Sequence, residues 1–172
     1  MKIKTILLCS ILALNLSALT IGEVPKQVTI AEDNGGLVKD GSAWDSVTLK
    51  DKVLVMFYVD PDEKDLNDEF SQTLKKKKYD RANYGSLAVI NLAATWKPNF
   101  IISSILKSKQ EEFPDTIYVK DKNKVLVKEW EIADDNSDII IFAKDGKVLF
   151  HKDGQMQEDD IQNAIKIIEE NL

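Results

Sequence analysis

The chain has 172 residues, 44% of them hydrophobic and 30% charged, with 23 Lys and Arg against 29 Asp and Glu, one His and one Cys. A net charge of −6 disfavours nucleic acid, whose phosphates require clustered basic side chains. A single cysteine excludes an internal disulfide and any zinc site built from cysteine and histidine.

Lys2 and Lys4 precede the apolar run Ile6 to Leu14, and Asn15 with small residues leads to a cut after Ala18 or Gly22. This is the pattern of a cleavable secretory leader. Ile6 to Ile21 falls short of the about 20 residues that a membrane-spanning helix needs. Ile6-Leu7-Leu8-Cys9 lacks the small residues expected before a lipidated cysteine. The expected organisation is a leader at 1–22 and one folded domain at 23–172. Losing the leader takes away Lys2, Lys4 and Cys9, so the mature charge is −8 and no thiol remains.

Val28 to Ala31 and Leu37-Val38 flank Asn34-Gly35-Gly36, which predicts an edge hairpin. Asp40-Gly41-Ser42 leads to Trp44, expected in the core. Val53 to Val59 is a continuous apolar run of strand length, as for a strand buried on both faces. After Asp60-Pro61, five acids lie within Asp62 to Glu69, and Leu66, Phe70, Thr73 and Leu74 recur at helical spacing. A helix starting near Asp62 with a negative first turn is predicted. Lys75 to Lys78 at its end read as a solvated face that suits the helix C-terminus.

A second buried strand lies within Ser86 to Ala94, so strand, helix and strand form a parallel crossover. Pro98 opens a second helix carrying Phe100, Ile101, Ile102, Ile105 and Leu106, and Phe113-Pro114-Asp115 ends it. Thr116 to Lys120 is a third strand, and Val125 to Ile132 is either a helical turn or a strand. Asp138 to Ala143 and Lys147 to His151, joined by Lys144-Asp145-Gly146, form an antiparallel hairpin. Ile161, Ala164, Ile165, Ile168 and Leu172 fall on one face of a terminal helix led by Glu158, Asp159 and Asp160.

The joint after Val59 is where an α/β protein usually keeps its chemistry. Asp60, Asp62, Glu63, Asp65, Asp68 and Glu69 are carboxylates that a hard cation could use. Acids in a first helical turn are, however, stabilised by the helix dipole alone. From Asp60, Lys64 falls on the third ligand position of an EF-hand loop and no glycine follows. His151 has no nucleophile or second ligand near it in the sequence.

Leu49-Lys50-Asp51-Lys52-Val53-Leu54-Val55-Met56-Phe57-Tyr58 resembles the strand that precedes Cys-x-x-Cys in thioredoxin-like and peroxiredoxin-like proteins. Continued without gaps, that register puts Asp62 and Asp65 where the two cysteines stand. Ile139 to Val148 resembles the strand after the family's cis-proline, and the same counting puts Ser137 in the proline's place. The whole mature chain resembles the YtfJ-type family of secreted bacterial proteins, whose function is not established. The resemblance lies in Gly22-Glu23-Val24-Pro25, Tyr84-Gly85-Ser86, Trp130-Glu131-Ile132 with Ser137-Asp138, Lys144-Asp145-Gly146-Lys147-Val148 and Lys152-Asp153-Gly154. It implies an α/β, thioredoxin-like fold with a central mixed β-sheet flanked by helices, here with the N-terminal hairpin as an extension. It also implies a periplasmic location, and it supplies no catalytic residue.

The expected function is a binding or interaction module without thiol chemistry, its groove at Asp60, Asp62, Glu63, Asp65 and Ser137. No cofactor and no metal are expected. The partner is an envelope protein or small ligand, with neither nucleic acid nor membrane bound after leader removal, and the protein is a monomer. The alternatives are a carboxylate-based cation-binding or enzymatic site at Asp60 to Asp65, and an accessory role in an envelope redox system.

Overall fold

The computed structural model describes residues 18–172, so the leader expected at 1–22 lies outside the described residues up to position 17. Its centre is β4 (Val53–Val59), in which every residue but Phe57 is buried. β4 pairs in parallel with β5 (Tyr84–Asn91) and antiparallel with β7 (Ser137–Phe142). β6 (Thr116–Asp121) runs parallel to β5, and β8 (Val148–Lys152) closes the hairpin with β7. With β2 (Gly35–Leu37) antiparallel on β6, the six-stranded order is β2-β6-β5-β4-β7-β8. A strand hydrogen-bonded on both edges and covered on both faces has no side exposed to water, hence the unbroken apolar run Val53 to Val59.

Alternate residues of β4 serve two cores, as the period of two requires. Leu54, Met56 and Tyr58 join Trp44, Leu126 and Trp130 on one face, beneath the short helix α3 (Val125–Trp130). Val53 and Val55 join Phe70 and Leu74 of α1 (Asp68–Lys77) and Ile161, Ala164, Ile165 and Ile168 of α4 (Glu158–Asn171) on the other. Val59 and Ile90 pack with Ile102 and Leu106 of α2 (Asn99–Glu112). Each such aliphatic side chain, fully buried, contributes about 1.5–3 kcal/mol. Trp130 also donates its indole N–H to the Lys26 carbonyl at 2.8 Å, which ties the N-terminal segment to α3. The terminal helix begins with a reciprocal cap between Gln157 and Asp160. Among the described residues, no helix is long and apolar enough to cross a membrane.

Two expectations are corrected. The N-terminal strands do not pair with each other as a hairpin. β1 (Thr29–Ile30) pairs antiparallel with β3 (Trp44–Asp45) in a separate ribbon, and β2 joins the main sheet at its edge. The glycines explain why. Gly35 and Gly36 have φ of +125° and +134°, and a Cβ on Gly35 would stand 1.8 Å from the Lys120 carbonyl oxygen. They serve close strand approach, not a two-residue turn.

The first helix also starts at Asp68, not near Asp62. Residues 62–67 form successive tight turns, closed by the amides of Glu63, Leu66 and Asp68 on the carbonyls of Asp60, Glu63 and Asp65. The acids of its first turn are Asp68 and Glu69.

Gly35→Ala should lower the unfolding free energy by about 2–4 kcal/mol, through backbone strain and the loss of β2 from the sheet edge. Urea denaturation measures it; an unchanged midpoint would mean that β2 and β6 do not approach as described.

Candidate functional site

The carboxyl end of β4 meets the amino end of β7. The Asp60 amide donates to the Asn136 carbonyl at 2.9 Å, and Val59 lies opposite Ser137. Asp60 is 5% exposed. Burial pushes its carboxyl up, against the Asp62 amide that donates to Oδ1 at 2.8 Å. Asp62 turns outward to the β5–α2 loop, where the Lys97 ammonium and the Thr95 hydroxyl (2.7 Å) both donate to it. Lys97 first, then Thr95, holds the Asp62 carboxyl below its ordinary range. Glu63 and Asp65 face solvent, and Asp65 pairs with its neighbour Lys64. The fold thus brings Asp60 and Ser137 together and sends Asp62, Glu63 and Asp65 elsewhere. No three carboxylates or histidines among the described residues converge to hold a metal ion.

Ser137 is buried at the head of β7, and the peptide bond before it is trans. Its partner is Asn67, which carries no mark in the sequence and falls inside the helix expected from Asp62. Asn67 is buried and donates to Ser137 Oγ (3.2 Å) and to the Gly154 carbonyl (3.1 Å), while its Oδ1 accepts the Met156 amide (2.9 Å). One side chain therefore joins the start of α1, the start of β7 and the approach to α4. These three ties hold the chain at Asn67 and let α1 begin only after it.

The opposite face of the same strand ends carries a second set of buried polar groups. The Tyr58 hydroxyl donates to Asp121 Oδ2 at 3.2 Å. Burial, and then the negative charge of Asp121, push the phenol far above its ordinary value. Asp121 also accepts the amides of Asn123 (3.2 Å), Val125 (2.9 Å) and Leu126 (3.1 Å), and so caps the start of α3. Beside it, Asn91 donates to Asp134 at 3.0 Å and Lys124 reaches the same carboxylate at 2.5 Å. Burial would raise Asp134, but Lys124 and Asn91 outweigh it and hold the carboxyl low.

Asp138, directly opposite Tyr58, is 0% exposed, and neither of its oxygens has a hydrogen-bond partner. The His151 Nε2 is also buried without a partner and lies 3.8 Å from Asp138 Oδ1, beyond hydrogen-bond reach. Burial pushes the Asp138 carboxyl up, and the imidazole beside it pulls the other way. Burial dominates, because an ionised carboxylate without donors is costly in the interior. The only sequence sign of this is a charged residue inside the otherwise apolar run Ser137 to Phe142.

Between Thr95 and Lys97, both fixed onto Asp62, stands Trp96 at 87% exposure. Phe100 (75%), Ile105 (53%) and Ile101 (43%) continue this apolar surface along α2. The sequence places these residues on one helix with Ile102 and Leu106, but only the latter two reach the sheet.

Because Asp138 binds its proton more tightly folded than unfolded, its contribution is full below the ordinary carboxylate pKa of about 3.9 and is lost as pH rises through the folded value. Asp138→Asn should therefore gain stability relative to the native chain as pH rises above about 4, by at most about 1.4 kcal/mol per pH unit. Paired urea curves between about pH 4 and 7 give the difference, and parallel profiles would mean that Asp138 titrates as in the unfolded chain.

Comparison with known proteins agrees with the fold. The chain is 24% identical over 148 residues to the uncharacterized protein YtfJ of Escherichia coli (strain K12), covering 81% of this chain and 80% of that protein. It superposes on the thiol peroxidase of Chromobacterium violaceum with a TM-score of 0.63 at 9% identity, over 90% of this chain and 88% of that one. With the pneumococcal exposed lipoprotein thioredoxin Etrx1 of Streptococcus pneumoniae the TM-score is 0.53 at 14% identity, over 82% and 98%. The fold is therefore thioredoxin-like, an α/β domain with a mixed central sheet flanked by helices. The model of the bacterial protein family of unknown function YtfJ_HI0045 matches residues 23–171, and the chain belongs to that family.

Proposed function

We propose that this chain is an exported, periplasmic binding module without thiol chemistry, and that an envelope protein docks on Trp96, Phe100, Ile101 and Ile105 beside Asp62. The observation that carries the reading is Trp96 itself, displayed in water by a loop whose flanking residues are both held on one carboxylate. Large apolar side chains exposed close together along a loop and the helix after it mark interaction surfaces, and tryptophan is enriched among their anchors. Burying such rings returns about 25 cal/mol per Å², several kcal/mol each before the costs of association are subtracted.

The chemistry of the partner follows from the rim. Asp62 borders the patch through Thr95 and Lys97, and the chain carries a net −6, so the partner presents an apolar pocket flanked by basic side chains. Exposed side chains on a loop and a helix face suit a protein partner better than a small molecule, which needs a cleft. The two clefts described, of about 160 and 360 Å³, lie around the β7–β8 turn and the N-terminal segment, and no residue of the acidic turn lines them. Thiol chemistry, which names several solved neighbours, needs a thiolate. Residues 23–172 contain no cysteine. Export is supported by Lys2, Lys4 and the apolar run Ile6 to Leu14, and by the likeness to an exposed lipoprotein.

The test is cross-linking in the intact envelope with the native chain and with the double variant Trp96→Ala, Phe100→Ala. Both residues are exposed, so the variant should melt as the native chain does. Its cross-linked yield should fall by about tenfold or more, as for the loss of a hot-spot pair. Equal yields of the same products from both chains would refute the docking surface.

A further inference from the structure

The first described residues belong to the fold. The Leu19 amide donates to the carbonyl of Trp130, the last residue of α3, at 3.1 Å, and the Leu19 side chain packs on the core that contains Trp44 and Trp130. Ile21 forms a parallel bridge with Val148 of β8. The Gly22 amide donates to the Val148 carbonyl (2.8 Å), and the Val148 amide donates to the Glu23 carbonyl (2.9 Å). Gly22, at φ +87°, sits in a turn closed by the Glu23 amide on the Thr20 carbonyl (3.2 Å). Residues 19–23 thus form a strap that runs from the end of α3 to the start of β8.

We propose that the leader is cut between Ala18 and Leu19, and that the new α-ammonium group of Leu19 is the anchor of this strap on the Trp130 carbonyl. The proposal rests on the export reading above. A leader peptidase hydrolyses the Ala18–Leu19 peptide bond: the hydroxyl of water goes to the Ala18 carbonyl carbon, its proton goes to the Leu19 nitrogen, and the new carboxylic acid then gives up its own proton to that amine, leaving a carboxylate on Ala18 and an ammonium on Leu19. The donor that faces Trp130 as a neutral amide becomes a cation in the same place, and charge-assisted hydrogen bonds are roughly twice as strong as neutral ones. The acceptor suits it, since the last carbonyls of a helix lack partners within the helix.

The sequence admits a second cut, after Gly22, because Ala18 and Gly22 are both small. Contacts separate the two. A cut after Ala18 gives up the bond from the Thr20 hydroxyl to the Ala18 carbonyl (3.2 Å), which lies at the surface. A cut after Gly22 removes the Leu19 side chain from the core and takes the donors away from the carbonyls of both Trp130 and Val148.

The experiment expresses the full chain in a bacterium with its own export system and sequences the amino end of the recovered protein. A start at Leu19 is expected. Any other processed start, Glu23 above all, overturns the proposal and leaves export standing. Met1 retained on a soluble cytoplasmic protein overturns export and the proposal together. In parallel, leaderless proteins beginning at Leu19 and at Glu23 are released from cleavable tags and melted. The shorter should melt lower by roughly 3–8 °C, and equal melting temperatures would refute the anchor. Acetylating the Leu19 amine, which keeps an N–H but removes the charge, should lower melting by less; no change would refute the role of the charge.

Discussion

β4 is hydrogen-bonded along both edges and covered on both faces, so whatever polar group stands at its carboxyl end is buried with it. The parallel neighbours β5 and β6 deliver Asn91 and Asp121 to the same level, and antiparallel β7 arrives there with Ser137 and Asp138. All of these, with Asp60 and Asn67, are buried. Leaving one such group unpaired costs about 1–3 kcal/mol, so each must find its partner inside the protein. Most do, and the partners are what fix the loops. Asp121 starts α3, Asn67 starts α1, and Asp60 begins the turns that follow β4.

Ser137 and Asp138 are consecutive and point to opposite faces of the sheet. Ser137 is satisfied by Asn67, whereas Asp138 has only His151, out of hydrogen-bond reach. Local rules are broken in folded proteins chiefly at functional or strained positions. Asp138 breaks one at the strand ends, where open α/β sheets hold their ligands.

What periodicity alone can reveal, the sequence displayed. The run Val53 to Val59, the crossover to β5, the Lys144-Asp145-Gly146 hairpin, the terminal helix and the buried Trp44 all occur where their patterns place them. The misread elements are those decided by distant contacts. β1 and β3 are two residues each, too short for any pattern, and their pairing depends on the ribbon folding back over the sheet. Acids favour the first turn of a helix wherever it begins, so only the ties from Asn67 to Ser137, Gly154 and Met156 reveal that α1 starts at Asp68. On α2, Phe100 and Ile105 are as apolar as Ile102 and Leu106, and only the position of the sheet tells core from surface. Of the candidate site, Ser137 was legible only through the resemblance, by counting to the family's cis-proline, and its closeness to Asp60 follows from the pairing of β4 with β7. Asn67, Thr95 and Lys97 were not legible, because each acts across a loop.

Carboxylates lie inside this end of the protein and aromatic rings lie outside it, and Asp62 connects the two. The Lys97–Asp62 pair is partly exposed and screened by solvent, and on its own it adds little to stability. Its effect lies in order. Lys97 and Thr95 bind the same carboxylate, and the Lys97 amide also donates to the Thr95 hydroxyl at 3.2 Å, so the residues on either side of Trp96 have little freedom. Fixing a residue's backbone costs about 1–2 kcal/mol of entropy. Here that cost falls on folding and not on binding, which is how preorganisation raises affinity without new contacts. Lys97 and Thr95 also hold the Asp62 carboxyl below its ordinary range, which favours the charged form that both donors bind. The acids of the turns after β4 are thus of two kinds: Glu63 and Asp65 lie at the surface, Asp65 with only its neighbour Lys64, while Asp60 and Asp62 are the frame on which the exposed tryptophan is mounted.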